Sequence, residues 1–319
     1  MLIVAFGGPQ GPDDVRPFLA NVLRGRRVTA ERVEEVAHHY EHFGGVSPLT
    51  ALTRRQADAL RNRLRERGTP LPIYVGMRNW HPFLADTLAE MARDGVRRAV
   101  AFVAAAHRSY SSCLQYRENV DAARAELRSR GVDDVDVSYV GNWHAHPGFI
   151  EANADRIRAA LSRLPADVRD DARIVFTAHS IPLSMAEKYP YREQIAESGR
   201  LVLVRLKADT TPTVVYQSRS GRPEDPWLGP DVCDYLRQEK AHGLRAAVIC
   251  PIGFICDHVE VLYDLDVEAA AACREVDLHM VRAESVNDHP RFIDAMADAV
   301  LETYQRYDHA RPLRVVGMP

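Results

Sequence analysis

Residues 246–273 read AAVICPIGFICDHVEVLYDLDVEAAAAC. Ala246–Pro251 is an apolar run with β-branched Val248 and Ile249, the length of one strand. Gly253 marks a tight turn, and Asp257–Cys273 carries apolar residues at helical spacing. An apolar strand, a turn and a helix in succession form the repeating unit of a parallel α/β sheet. Val259, Leu262 and Tyr263 are expected to pack on that sheet. Asp257 stands where a carboxylate caps free helix amides, which is a structural use. Glu260, Asp264 and Glu268 recur at i, i+4 and i+8 and share one helix face. Like charges at that spacing weaken a helix. The row therefore reads either as a solvated acidic face or as a path for a cation.

The unit recurs along the chain. Strands are expected at Leu2–Phe6, Leu71–Met77, Ala99–Ala104 and Val135–Val140, and again at Arg173–Thr177, Thr213–Gln217, Ala246–Pro251 and Asp277–Val281. Helices are expected at Asp13–Leu23, Ala30–His42, Leu49–Arg67, Pro82–Asp94, Ser111–Arg128, Gly148–Leu164, Tyr191–Val204, Pro230–His242, Asp257–Cys273 and Pro290–Arg306. Eight strands in two groups of four predict an α/β fold of two Rossmann-like domains, each a four-stranded parallel sheet flanked by helices. The first spans 1–141 and the second 142–289, with a last helix at about 290–309 free to pack back on the first. The echo of YVGMRNWHPF in YVGNWHAHPGF fits a duplication.

The 319 residues suit two domains of ordinary size. With 46% hydrophobic and 27% charged residues the composition is that of a soluble globular protein. A formal net charge of −3 argues against nucleic acid, which calls for a basic stripe. Five scattered cysteines (113, 233, 250, 256 and 273) contain no C-x-x-C pair. That pattern excludes a disulfide framework and a structural zinc site and fits a reducing cytoplasm. No apolar run reaches the roughly 18 residues of a membrane span, and no signal peptide is evident at MLIVAFGGP.

His179 follows the apolar run Ile174–Val175–Phe176, in Ala178–His179–Ser180–Ile181–Pro182. Carboxyl ends of parallel strands are where open α/β sheets hold ligands. An imidazole there serves as a base, as a metal ligand, or only as a hydrogen-bonded structural group. One imidazole with a row of carboxylates suits Fe²⁺, Co²⁺ or Zn²⁺ held weakly enough to be passed on. Gly7–Gly8–Pro9–Gln10–Gly11 matches neither dinucleotide nor P-loop spacing, and its proline withholds an amide from phosphate. No G-x-S-x-G elbow is present. Trp227, in PWLGPD, is read as a packing pin, with a wall for a flat ligand as the other reading.

With His179 in TAHSIP, Trp227 in PWLGPD, Glu260 in GFICDHVEVLYD, and FGGP and FGGVSPL near the start, the chain resembles a ferrochelatase over essentially its whole length. It is most similar to the short soluble bacterial members that act on coproporphyrin III. The resemblance implies a porphyrin cleft between the two domains and a lyase of haem biosynthesis that inserts Fe²⁺ with loss of two pyrrole protons. It implies His179 and Glu260 as catalytic residues. His179, Glu260, Asp264 and Glu268 are implied as metal ligands, the last two as an outer ladder. Ser47 and Tyr116 match propionate-binding positions, and Phe6 stands where many members carry Tyr. Leu23 and His39 stand where some members place propionate-binding arginines, so Arg24 and Arg26 are the neighbouring cations expected to substitute. Arg78 and Asn79 stand where some members have an outer-surface Lys–His pair. No cysteine follows Arg291, so no [2Fe–2S] cluster is expected.

The expected partners are therefore porphyrin and Fe²⁺, with no permanently bound cofactor, no nucleic acid and no integral membrane segment. A cytoplasmic monomer with transient haem-pathway partners is expected. A protoporphyrin IX enzyme, a cobalt or nickel chelatase for another tetrapyrrole, and a non-catalytic porphyrin or haem carrier are the alternatives.

Overall fold

Strand formation follows burial. Leu2–Ala5 (β1) and Ala246–Cys250 (β7) are buried at every position, as central strands covered by helices on both faces must be. The structure, a computed structural model, describes residues 1–25, 28–221 and 224–309, with side chains through 307. Its other strands are Tyr74–Met77 (β2), Arg98–Val103 (β3), Asp136–Tyr139 (β4), Arg173–His179 (β5), Thr213–Gln217 (β6) and His279–Arg282 (β8). They form two parallel sheets of identical order, β2-β1-β3-β4 and β6-β5-β7-β8. The shared order supports a duplication far better than the short sequence echo does.

Differences from expectation have local causes. β2 starts at Tyr74 rather than Leu71 because Pro70 and Pro72 have no amide to donate to a ladder; pairing begins where Tyr74 N–H reaches Met1 O. β8 starts at His279 because Asp277 is left-handed, φ 54°, in the turn that ends the preceding helix. β5 runs two residues further than expected, so His179 is its last residue, paired with Gln217. The helix expected over Asp257–Cys273 is α-helical only at Val259–Val261 and Ala270–Glu275. Between them, Leu262–Ala269 is π-helical.

The last helix, Pro290–His309, packs against Leu49–Glu66 and β3 of the first half and against Pro147–Leu161 of the second. Phe102, Trp143, Phe149 and Phe292 interlock there, with Phe102 stacked on Trp143 at 5.0 Å. Gly148 allows the close helix approach, since a Cβ there would lie 2.4 Å from Arg291 O. One apolar cluster thus joins both halves. Among the described residues no helix is long and apolar enough to cross a membrane.

His107 is buried in this junction. Its Nε2–H donates to Ser198 Oγ at 3.0 Å, because Ser198 already gives its own hydrogen to His144 O. Burial pushes the His107 pKa down to about 3. Unfolded, the same ring takes a proton near pH 6.5, so the unfolded state binds more protons below that value. Stability is therefore complete above about pH 6.5 and falls as the pH drops, by about 2 kcal/mol at pH 5 from this residue. His107→Gln keeps a donor for Ser198 and does not titrate. In urea unfolding it should lose about 2 kcal/mol less than wild type between pH 7.5 and 5; parallel pH slopes would refute this.

Candidate active site between the two halves

The chain leaves β5 toward β6 on one side of the second sheet and leaves β7 toward β8 on the other. A crevice opens at the carboxyl ends of the adjacent strands β5 and β7, where such sheets hold ligands. His179 closes β5 at this point. Its carbonyl accepts the Tyr191 hydroxyl at 3.1 Å, and Ser180 N–H bonds Gln217 O at 2.8 Å. His179 Nδ1 bonds the Ser180 carbonyl. A carbonyl only accepts, so Nδ1 carries the hydrogen and Nε2 of the neutral ring carries the lone pair. Nε2 lies 3.7 Å from Glu260 Oε2, with the two side chains 33% and 37% exposed.

Gly253 makes this approach possible. Its N–H bonds Thr177 O at 3.0 Å, and a Cβ there would sit 2.5 and 2.6 Å from Ala178 Cβ and Cα. The turn after β7 can therefore lie directly on β5, one residue before His179. In the first half a Cβ on Gly8 would lie 2.5 Å from Ser47 Cβ.

The π segment sets the carboxylates. In an α-helix, residues four apart drift about 40° per step; the wider i→i+5 turn keeps them nearer a straight row. The face packed on the second sheet is Val261, Leu265 and Ala269, itself an i, i+4, i+8 set. The expected face was Val259, Leu262 and Tyr263, and this is corrected. Val259 joins Val15, Phe18, Leu19, Ala37 and Tyr40 of the first half, and Tyr263 stacks on His39 at 3.7 Å and 13°. His39 is thus held against the second half.

The three carboxylates differ in setting. Asp264 is 8% exposed, and its Oδ2 accepts from Gln217 Nε2 at 3.3 Å and from Ser218 Oγ. Burial first, then Glu260 and Glu268, push its pKa up to about 7 against the pull of those two bonds. Glu268 sits at the rim, its pKa raised by partial burial and by Asp231. Exposure does not increase steadily along the row, since Asp264 is more buried than Glu260 on one side and Glu268 on the other.

Two residues take roles the sequence reading did not assign. His258 is the cap position before Glu260, without a side-chain bond to the helix. Its ring is 5.0 Å from Phe254, and burial, with His179 adding to it, lowers its pKa, while Glu260 raises it. It belongs to the same cluster as His179 and Glu260; its position two residues before Glu260 was the available signal. Asp257 does not cap the helix. It instead accepts from Arg282 Nη1 at 2.8 Å, Asn287 Nδ2 at 2.8 Å and Ser285 N at 3.1 Å, tying the turn to the exit of β8.

In the first half, Phe6 and Tyr116 are brought together by Arg78, whose guanidinium lies 5.6 and 4.7 Å from their ring centres. Arg78 is therefore not on the outer surface, and that expectation is corrected. Asn79 is 6% exposed, its backbone N–H bonding Phe6 O at 3.1 Å. Ser47 is 3% exposed, and its Oγ accepts the Leu49 amide at 3.4 Å. Arg24 is exposed and bonds Asn21 at 2.7 Å, which in turn donates to Asn79 O. Arg26 lies outside the described residues. Val259, next to Glu260, packs among Phe18 and Tyr40, so the cluster on the second half faces the aromatic wall of the first; burial raises the pKa of Tyr40 and Tyr116, and the Glu260 charge adds to it. Trp227 lies directly over Gly221, where a Cβ would be 2.0 Å from its Nε1. Leu228 N–H bonds Ile181 O, and Leu183 N–H bonds Pro226 O, which is the packing use. Among the described residues no three His, Cys, Asp or Glu form a closed metal site.

The ferrochelatase sequence profile matches residues 1–304. The chain belongs to the ferrochelatase family. A coproporphyrin III ferrochelatase of Nocardia farcinica is 47% identical over 100% of this chain and 91% of its own length. One of Streptomyces coelicolor is 46% identical over 95% and 84%, and a ferrochelatase of Rhodopirellula baltica 46% over 99% and 89%. The sirohydrochlorin chelatase SirB of Bacillus subtilis subspecies spizizenii, solved with cobalt, covers 97% of this chain and 96% of its own. Its TM-score is 0.56 at 10% identity, a likeness of fold. For this member of the ferrochelatase family, Gly253→Ala should push Ala178 and His179 off their strand. We expect about 1–3 kcal/mol lower stability in urea and at least tenfold slower porphyrin metallation. Unchanged values would show that the close approach does not position His179.

Proposed function

We propose that this protein inserts Fe²⁺ into coproporphyrin III, releasing two protons, as the ferrochelatase step of haem formation. The observation that carries the reading is the His179 Nε2 lone pair beside the Glu260 carboxylate, facing the aromatic wall of the first half. Metal insertion needs a base on the face of the macrocycle, and His179 Nε2 takes the pyrrole protons. Glu260 receives a proton from His179 or hands on the ion. Asp264 and Glu268, further along the same helix, form the ladder that supplies it. A planar porphyrin hides its nitrogen lone pairs, so a cleft that holds a bent ring favours the transition state. The names of the Streptomyces and Nocardia relatives support coproporphyrin III as substrate.

On this reading iron is substrate and no cofactor stays bound. Cys250, Cys256 and Cys273 are buried with thiols pushed up, which keeps them protonated and poor ligands for a cluster. The protein works as a cytoplasmic monomer, its halves divided near residue 141, with transient partners receiving the product. Phe6, Arg24, Arg26, Ser47 and Tyr116 contact the porphyrin.

Anaerobic metallation followed by absorbance tests the reading. Coproporphyrin III should be turned over faster than protoporphyrin IX. The reverse order would overturn the substrate, and no metallation of either would overturn the enzyme. His179→Ala should abolish turnover in a folded protein. Glu260→Gln should lower kcat far more than porphyrin affinity; a change in affinity alone would remove it from the chemistry.

A further inference from the structure

Arg78 directly follows β2, and its backbone N–H bonds Ala5 O at 3.1 Å, so its starting point is fixed by the ladder. The side chain is half-buried between Phe6 and Tyr116. No acidic side chain pairs with it among the described residues. Besides the neighbouring Tyr116 hydroxyl, its hydrogen-bond partner is Ser111 O, 3.5 Å from Nη1 and at the limit of useful length, and neither partner carries a negative charge. Its Nε is buried with no partner at all. A guanidinium taken out of water without an anion is costly, and one with unfilled N–H donors more so. Packing on ring faces leaves the in-plane N–H groups without an anion, and these form the fork that a carboxylate fits with two bonds. Ser111, whose carbonyl Arg78 reaches, points its hydroxyl at Met185 Sδ of the second half, 3.9 Å away, so the fork lies where the two halves face each other.

We propose that Arg78 binds one carboxylate arm of the macrocycle and thereby selects for porphyrins that carry more of them. This rests on the coproporphyrin reading. Coproporphyrin III has propionates at all four rings, whereas protoporphyrin IX has vinyl groups in place of two. A vinyl group against Arg78 leaves the cation dry and unpaired, whereas a propionate satisfies it. The aromatic pair supplies the apolar wall, and Arg78 supplies the charge within it.

The test is fluorescence quenching of metal-free coproporphyrin III and protoporphyrin IX by the full chain. Arg78→Met keeps the packing on both rings and removes the charge; Arg78→Lys keeps the charge and removes the fork. Arg78→Met should raise the coproporphyrin Kd about tenfold or more, and the protoporphyrin Kd less than about threefold. Arg78→Lys should fall between wild type and Arg78→Met for coproporphyrin. Thermal melting confirms that the variants are folded. Equal weakening for both porphyrins would overturn the proposal, as would a loss in kcat with coproporphyrin affinity intact. A wild-type chain that binds both porphyrins but metallates neither would overturn the enzymatic reading and leave this comparison to decide Arg78. Wild type that binds neither would overturn both.

Discussion

The site depends on one helix being gripped from two sides. Val261, Leu265 and Ala269 anchor it to its own sheet, while Val259 and Tyr263 lock into helices of the other half. Between these faces runs a row of carboxylates. Like charges four residues apart cost about 0.2–0.5 kcal/mol per pair, while each fully buried Val or Leu contributes about 1.5–3 kcal/mol. Packing therefore wins with a wide margin, and the acids stay aligned where an isolated helix would discard them. The π geometry serves the same end, because it brings both the packing row and the acidic row into a four-residue repeat.

This grip also sets the chemistry of the acids. Asp264 is drawn into the protein, where burial pushes its pKa up to about 7. Glu260 and Glu268 stay within reach of solvent on either side of it. Open and shielded carboxyls thus alternate along the row. His179 meets the row because Gly253 lets one strand-end turn lie on the neighbouring strand. His179 and Glu260 come from opposite sides of the switch point, and the missing Cβ of Gly253 lets them approach to 3.7 Å.

Much of the fold was legible. Thr213–Gln217 and Ala30–His42 match expectation at both ends, because their periodicity and flanking turn residues agree. The errors sit where a local rule gave way to another. Prolines delayed β2, a left-handed Asp277 delayed β8, and a π segment reassigned the buried face of the acidic helix. At the site, His179 and Glu260 were legible as a strand-end imidazole and the first acid of a row. The match to an outer-surface pair puts Arg78 on the wrong side of the wall, since a one-dimensional match says nothing of which rings enclose a side chain. For His258 the spacing of two residues from Glu260 is the only local signal, too weak by itself to separate it from a structural histidine at a helix start.

The sequence by itself determined the alternation of strands and helices, the two groups of four, the acidic row and the histidine at a strand end. These are matters of period and residue type, which short-range chemistry dictates. Only the tertiary structure decided that His179 Nε2 faces Glu260, that Asp264 is buried enough for its pKa to rise, and that Arg78 lies between Phe6 and Tyr116 without an acidic partner. Those facts depend on contacts between residues far apart in the chain: 81 positions from His179 to Glu260 (179 to 260) and 38 from Arg78 to Tyr116 (78 to 116). Burial, tautomer and counterion are properties of such contacts, and no local pattern encodes them.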